Sequence, residues 1–120
     1  ANASKAGIKM TDLHVGSQIV ELDSEGFLRH LSDWSPEVAT QLAHTESINL
    51  TNDHWKVIEL LRGFYLEYEI SPAMRILVKQ VGLQLGKEKG TSLYLLQLFP
   101  GSPAKIASKI AGLPKPTNCL

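Results

Sequence analysis

Residues 51–69, TNDHWKVIELLRGFYLEYE, carry the pattern on which the rest of the fold depends. Apolar side chains recur at i, i+4, i+7 and i+11, the spacing of one helix face, and they are Val57, Leu61, Phe64 and Tyr68. Three further side chains widen this face, namely Trp55, Ile58 and Tyr65. Because Thr51 can cap the first turn, the segment predicts a long helix over 52–69 at the centre of the core.

Serine-proline pairs mark the starts of other helices, since serine caps a first turn and proline fits its first position. The pairs are Ser35-Pro36, Ser71-Pro72 and Ser102-Pro103. They predict helices over 36–46, 72–85 and 103–111, and a short helix over 91–99 follows the polar loop 87–90. The stops are glycines, Gly86 and Gly112, and the Pro100-Gly101 pair.

The segment before these helices has the features of short strands. Turn signals at 15–18 and 23–26 enclose Ile19-Val20-Glu21-Leu22, which indicates a hairpin or a three-stranded meander. The sequence therefore predicts an α+β, mostly helical fold, in which this hairpin or small meander packs on a bundle of about five helices. The core is expected to include Trp55, Ile58, Leu61, Phe64, Tyr65, Ile76, Leu77 and Leu95.

Length and composition fit one ordinary globular domain. The chain has 120 residues, of which 43% are hydrophobic and 20% charged. It contains no apolar run near the ~20 residues that span a membrane and no visible signal peptide, so we expect a cytoplasmic protein without a membrane partner. We expect a disordered tail or cloning remnant over 1–11, one domain over 12–112 and a C-terminal arm over 113–120.

The C-terminal arm ends in the sequence GLPKPTNCL, residues 112–120, and holds the chain's single cysteine, Cys119. Pro114 and Pro116 favour an extended path of about 3.1 Å per residue, so a flexible arm beyond Gly112 can hold the thiol up to roughly 25 Å away. Such an arm indicates a device that presents sulfur to another protein. A single cysteine excludes an internal disulfide and persists best in a reducing compartment.

Charge is distributed unevenly although the formal net charge is zero. Residues 1–70 hold five Lys or Arg and eleven Asp or Glu, whereas residues 71–120 hold seven and one. The fold either mixes the two halves into a neutral surface or leaves a basic face beside the arm that attracts acidic partners or tRNA. Lys105 and Lys109 share one face of the last helix, and we expect that face to contact such a partner.

Other chemistry has little support in the sequence. The four histidines, His14, His30, His44 and His54, have no metal-ligand spacing, and we interpret His54 as structural. The loop Gly86–Gly90 lacks the strand and the Ser or Thr of a phosphate-binding loop. We therefore expect no metal and no cofactor.

Ordered motifs along the chain resemble one known family. Besides the arm, these motifs are Trp34-Ser35-Pro36, Asp53-His54-Trp55, Ser71-Pro72-Ala73, Gly86-Lys87-Glu88-Lys89-Gly90, Tyr94-Leu95, Leu98-Phe99-Pro100 and Pro103-Ala104-Lys105. Over residues 12–120 the chain resembles the DsrC/TusE family of sulfur carriers. The DsrC branch has a second cysteine, and Ser108 occupies its position, eleven residues before Cys119. The chain is therefore most similar to the single-cysteine TusE branch.

This resemblance implies a sulfurtransferase that acts as a persulfide carrier rather than as a stand-alone catalyst. Cys119 would accept sulfur from a TusBCD-like donor complex and pass it to a tRNA thiouridylase, alone or with bound tRNA, for 2-thiouridine synthesis. We expect a monomer whose partner contacts include Lys105, Lys109 and Lys115.

Two alternatives stay open at this stage. One is a DsrC-type partner of dissimilatory sulfite reductase that lacks the second cysteine. The other is a regulatory paralogue whose predicted helices over 72–85 and 91–99 form a helix-turn-helix-like pair. In that reading the basic side chains point outward, and they are Arg75, Lys79, Lys87 and Lys89. Overall neutrality argues against strong DNA affinity.

Overall fold

A computed structural model of the chain describes residues 12–117. It begins with an antiparallel hairpin, β1 (Leu13–Val15) and β2 (Gln18–Val20), in which Leu13 lies opposite Val20. An isolated bridge between Leu22 and Leu28 follows. This bridge closes a loop over residues 23–27, in which the Asp23 carboxylate accepts hydrogen bonds from two backbone N–H groups. The hairpin with its short extension agrees with the predicted small meander.

Five α-helices follow the hairpin and confirm the α+β, mostly helical architecture. They are α1 (Pro36–Thr45), α2 (Asn52–Tyr68), α3 (Met74–Leu85), α4 (Ser92–Leu98) and α5 (Pro103–Ile110). Two single 3₁₀ turns, Leu31–Asp33 and Lys87–Lys89, lie in the connections. None of the described helices is both long and apolar enough to cross a membrane.

Two of the four predicted capping hydroxyls cap their helices. The Ser35 hydroxyl accepts a hydrogen bond from the Val38 N–H at 3.2 Å, and Thr51 forms a capping box with His54 at the start of α2. Thr91, which is not among these four, caps α4. Ser71 does not cap a helix, because α3 begins only at Met74 and its N-cap residue is Ala73. The predicted start of this helix at residue 72 is therefore wrong by two residues, and the Ser71 hydroxyl has a different partner.

The core lies where α5 packs against α1, α2 and α3. Four predicted core residues, Ile58, Leu61, Leu77 and Leu95, are completely buried, and Trp55 and Tyr65 pack partly buried against them. The prediction is wrong for Ile76, which is 42% exposed, and Phe64 is only half-buried. Fully buried side chains that it missed include Val38, Leu42, Phe99 and Ile110. The periodicity of one helix does not show which of its sides the neighbouring helices cover. The burial of these residues could therefore be seen only in the tertiary structure.

Candidate functional site

The predicted sulfur-bearing residue, Cys119, lies outside the described residues, so its placement stays a prediction. The structure does describe the first part of the arm, residues 112–117, and the surfaces that it touches. This part determines where the arm leaves the domain and in which direction it runs. The candidate site is therefore described from the end of α5 outward.

Two backbone hydrogen bonds close the C-terminal end of α5, and both donors lie beyond the helix. The Gly112 N–H donates to the Lys109 carbonyl at 3.1 Å, and the Leu113 N–H donates to the Ser108 carbonyl at 3.0 Å. This Schellman arrangement needs a left-handed residue at its centre, and Gly112 supplies it with φ of +75°. Leu113 is buried. The arm therefore starts from a fixed point rather than from a frayed helix end.

Trp34 and Arg62 hold the same helix end from outside. The Trp34 Nε1–H donates to the Ile110 carbonyl at 2.9 Å, and Arg62 donates to the Ala111 carbonyl at 2.7 Å. The Arg62 guanidinium also lies 3.8 Å over the centre of the Trp34 ring. Burial lowers the pKa of Arg62 from its ordinary value, yet an arginine stays charged at neutral pH. Together the two side chains satisfy carbonyls that α5 leaves without an intrahelical partner.

The described arm runs along the domain surface. The Ser71 hydroxyl donates to the Pro114 carbonyl at 2.5 Å, and Pro116 is buried. The sequence predicts an arm that leaves the domain at Leu113; the structure instead keeps this stretch in contact with the body as far as Pro116. The physical reason is that an extended segment with two prolines still has free carbonyl acceptors, and Ser71 provides a donor for one of them.

One carboxylate joins the arm to α5. Glu25 accepts hydrogen bonds from the Lys115 ammonium at 3.0 and 3.2 Å and forms an ion pair with Lys105 at 3.1 Å. The Lys115 hydrogen bond, followed by that of Lys105, holds the pKa of Glu25 below its usual range. Because all three side chains are partly exposed, these pairs are weak and sensitive to salt. Two of the three lysines predicted to meet a partner are thus engaged within the chain.

Lys109, the third predicted partner contact, faces the interior. Its side chain is only 11% exposed, and its ammonium pairs with Glu46 at 2.8 Å and lies 5.4 Å from the centre of the Phe27 ring. Lys109 is therefore buried on the helix face that it shares with Lys105, and the contact of that face with a partner stays a prediction. A buried lysine must find a counter-charge inside the protein, and Glu46 lies 63 residues away in the sequence.

Ser108 lies completely buried in α5, and its hydroxyl has no hydrogen-bond partner among the described residues. A hydroxyl in this position loses its water without compensation. A cysteine side chain, which behaves as a small apolar group, suits such a site better. The environment of Ser108 is therefore compatible with the resemblance to chains that carry a second cysteine here.

A cleft of about 260 Å³ opens beside the start of the arm. Its lining residues come from the first 3₁₀ turn, α2 and the arm itself, and they are Leu31, Ser32, Arg62, Tyr65, Leu66, Gly112 and Leu113. Leu66 at its rim is 84% exposed. The start of the arm thus has one side against the domain and one side open to an approaching molecule.

His54 has a structural role, as the sequence indicates. Its Nδ1 accepts from the Thr51 N–H at 3.0 Å, and its Nε2–H donates to the Leu98 carbonyl at 2.7 Å, which ties the start of α2 to the end of α4. No group of three or more His, Cys, Asp or Glu within residues 12–117 is arranged to hold a metal ion.

Comparison with models of known families matches residues 14–120 to the family described as "DsrC like protein". Proteins named Sulfurtransferase TusE are similar over most of their length. That of Escherichia coli strain K12 is 50% identical over 101 residues, covering 84% of this chain and 93% of the relative. That of Buchnera aphidicola subsp. Schizaphis graminum is 52% identical over 101 residues, which cover 84% of this chain and 89% of the relative.

Solved structures give the same relationship for the fold. The NMR structure of Allochromatium vinosum DsrC is 50% identical, with a TM-score of 0.83, and the match covers 91% of this chain and 97% of that one. The crystal structure of the oxidized gamma-subunit of the dissimilatory sulfite reductase (DsrC) from Archaeoglobus fulgidus is 39% identical, with a TM-score of 0.81 and coverage of 91% and 99%. Sequence and fold therefore point to the same group of proteins.

Proposed function

Since the chain belongs to the DsrC-like protein family, we propose that it is a sulfur carrier that receives a sulfur atom on Cys119 and passes it on. The observation that carries the proposal is the similarity, at about half identity and over most of both lengths, to proteins named Sulfurtransferase TusE. The anchored start of the arm supports it, because a carrier must present its thiol at a reproducible distance from the surface that its partners bind.

The chemistry is an exchange between a thiol and a persulfide. The Cys119 thiolate attacks the outer sulfur of a donor persulfide, the sulfur–sulfur bond of the donor breaks, and the donor leaves as a thiolate. A new sulfur–sulfur bond now holds the atom as a persulfide on Cys119, without any net oxidation. The acceptor thiolate repeats the same step. The chain has no second thiol that could release the sulfur first, because Cys119 is its single cysteine.

The proposal also names the donor and the acceptor of the sulfur atom. We place the donor as a persulfide-bearing complex of the TusBCD type and the acceptor as a thiouridylase that modifies tRNA to 2-thiouridine. A free thiol that must stay reduced suits the cytoplasm. Lys105 and Lys115 remain candidates for partner contacts, because breaking their weak pairs with Glu25 costs little.

A reconstituted relay tests this function. With the donor complex, the thiouridylase and unmodified tRNA, the full chain is expected to support 2-thiouridine formation, measured by mass spectrometry of digested tRNA. Cys119→Ser should abolish formation, whereas Ser108→Ala should leave it unchanged, because the Ser108 hydroxyl is buried and takes no part in the exchange. Thiolation by the Cys119→Ser chain at the normal rate would contradict the proposal.

The DsrC-type role is a second candidate, favoured by the likeness to the Archaeoglobus fulgidus protein. Its distinguishing feature is the second cysteine, and Ser108 stands in that position. Binding to a dissimilatory sulfite reductase, with no activity in the tRNA relay, would favour this role.

The regulatory role rests on the close packing of the segment that joins α3 to α4. A Cβ on Gly90 would lie 2.5 Å from the Gly82 Cα, so the connection packs directly on α3, and it contains a glycine as helix-turn-helix turns often do. Unlike the carrier role, a regulatory role would survive Cys119→Ser.

A further inference from the structure

The outward face of α3 has an unusual composition for an exposed surface. Arg75, Ile76, Lys79 and Leu83 lie within about 100° of one another around the helix axis, opposite the buried Leu77 and Val81. We call these four residues the α3 stripe. Ile76 is 42% and Leu83 71% exposed. The stripe therefore combines two cations with two large apolar side chains that the domain leaves uncovered.

No acidic side chain forms an ion pair with the stripe in the part of the chain that the structure describes. Helix α3 contains no acidic residue, and neither Arg75 nor Lys79 forms an ion pair within residues 12–117. Other lysines of the basic C-terminal half do form such pairs, with acidic residues from the N-terminal half. These are Lys89 with Asp53, Lys105 and Lys115 with Glu25, and Lys109 with Glu46. Among the described basic residues of the C-terminal half, those without an ion pair are thus Arg75 and Lys79 on α3 and Lys87 in the adjacent turn.

The α3 stripe begins next to the arm. Ser71, which binds the Pro114 carbonyl, precedes Arg75 by four residues, and α3 then runs about 18 Å away from this contact. A molecule seated along the stripe would have one end at the point where the arm passes. Its reactive group could then reach a thiol five residues beyond Pro114 while the rest of its surface stays on α3.

We propose that the α3 stripe is the docking surface for the protein that loads sulfur onto Cys119, and that this donor presents carboxylates around an apolar contact. The inference rests on the proposed function and adds the surface and the chemistry of one partner. Carboxylates would neutralise Arg75 and Lys79, and an apolar group would cover Leu83. Such a contact places the donor persulfide beside the arm before the exchange of sulfur begins.

A protein fits this surface better than a nucleic acid does. Leu83 forms the C-terminal end of the stripe and is exposed, so a phosphate backbone lying along the stripe would find an apolar side chain there instead of a hydrogen-bond donor. The donor also fits better than the tRNA-modifying acceptor. An enzyme that binds a polyanion needs a positive surface near its site, and that surface would repel the stripe.

The test measures how fast Cys119 gains one sulfur, by mass spectrometry of the full chain, with two probes. The first probe is the persulfidated TusBCD-type donor complex, and the second is glutathione persulfide, a small molecule that needs no docking surface. Arg75→Gln/Lys79→Gln removes two positive charges from the stripe. The matched control, Ser17→Glu/Gln18→Glu, lowers the net charge equally at two exposed residues of the hairpin.

The stripe variant is expected to slow loading by the donor complex about ten-fold at low salt, and the control by less than about two-fold. The difference should shrink toward roughly 0.5 M salt, where charges are screened. Leu83→Gln should slow loading at both salt concentrations, whereas Ile19→Gln on the hairpin should not. Glutathione persulfide should load all of these chains equally.

Several results would overturn the inference. Equal slowing by the stripe variant and its control would mean that only net charge matters. Slower loading by glutathione persulfide would place the effect in the arm itself. An effect confined to transfer onto tRNA-bound acceptor would make the stripe a nucleic-acid surface. If the donor loaded all variants at the normal rate, the proposed docking surface would be wrong, whereas the proposed carrier function would still hold. If neither probe loaded sulfur onto the native chain, both the docking surface and the carrier function would be contradicted.

Discussion

At the residue scale, the arm depends on side chains that are far apart in the sequence. Trp34 reaches the Ile110 carbonyl across 76 residues, and Arg62 reaches the Ala111 carbonyl across 49. The sequence predicts Cys119 as the reactive residue, because it is the single cysteine and follows two prolines in the C-terminal arm, and this stays a prediction. It cannot show Trp34 and Arg62 as anchors, since nothing local in either segment reveals a contact with the end of α5.

Gly112→Ala tests this anchor. An alanine there must adopt a left-handed φ, and its Cβ would collide with the Trp34 ring. We expect a loss of about 2–4 kcal/mol in the free energy of unfolding, measured by urea denaturation. Gly16→Ala is the matched control, because Gly16 has a similar φ of +61° and nothing within 4 Å of its would-be Cβ. It should lose only about 1 kcal/mol. Equal losses would show that the Trp34 contact is unimportant.

At the scale of elements, all five helices could be predicted to within about two residues, because caps, prolines and glycines are local signals. The predicted start of α3 has the largest error, and its cause is a tertiary contact. Ser71 has the position of a cap, yet its hydroxyl binds the Pro114 carbonyl. The arm itself is an element whose course depends on partners outside it, so its contact with the domain could not be read from its prolines.

The contact between arm and domain should depend on pH through Glu25. Lys115, then Lys105, lowers the pKa of Glu25 from its ordinary value of 4.5. The stabilisation is therefore complete above that value and is lost as pH falls through the lower pKa of the folded state. We expect the Lys115 and Thr117 amide signals in NMR spectra to shift toward those of a free segment over that acidic window.

Glu25→Gln should show the released signals already at neutral pH, because it removes the negative charge but keeps the size of the side chain. Glu37→Gln, an exposed change in the first turn of α1, is the control and should leave the arm signals unchanged. Arm signals that do not change with pH in the native chain would mean that Ser71 and Pro116 alone hold the arm.

At the scale of the whole molecule, the uneven charge of the sequence has a structural explanation. Several pairs join a lysine of the C-terminal half to an acidic residue of the N-terminal half, so folding neutralises part of the asymmetry. Arg75 and Lys79 still leave exposed positive charge on α3, and the attraction of a partner to such a face stays a prediction. Composition could show the imbalance, but only the packing of α5 against α1 and its ion pair with Glu25 show which charges remain.

The most direct test of the central claim is the mass of the C-terminal peptide after incubation of the full chain with a persulfidated donor. The carrier account predicts a gain of one sulfur atom, about 32 Da, on the peptide that contains Cys119. This gain should persist until an acceptor thiol is added, because no second thiol in the chain can displace it. It should also vanish on treatment with dithiothreitol. An unmodified Cys119 beside a donor that keeps its sulfur would contradict the account.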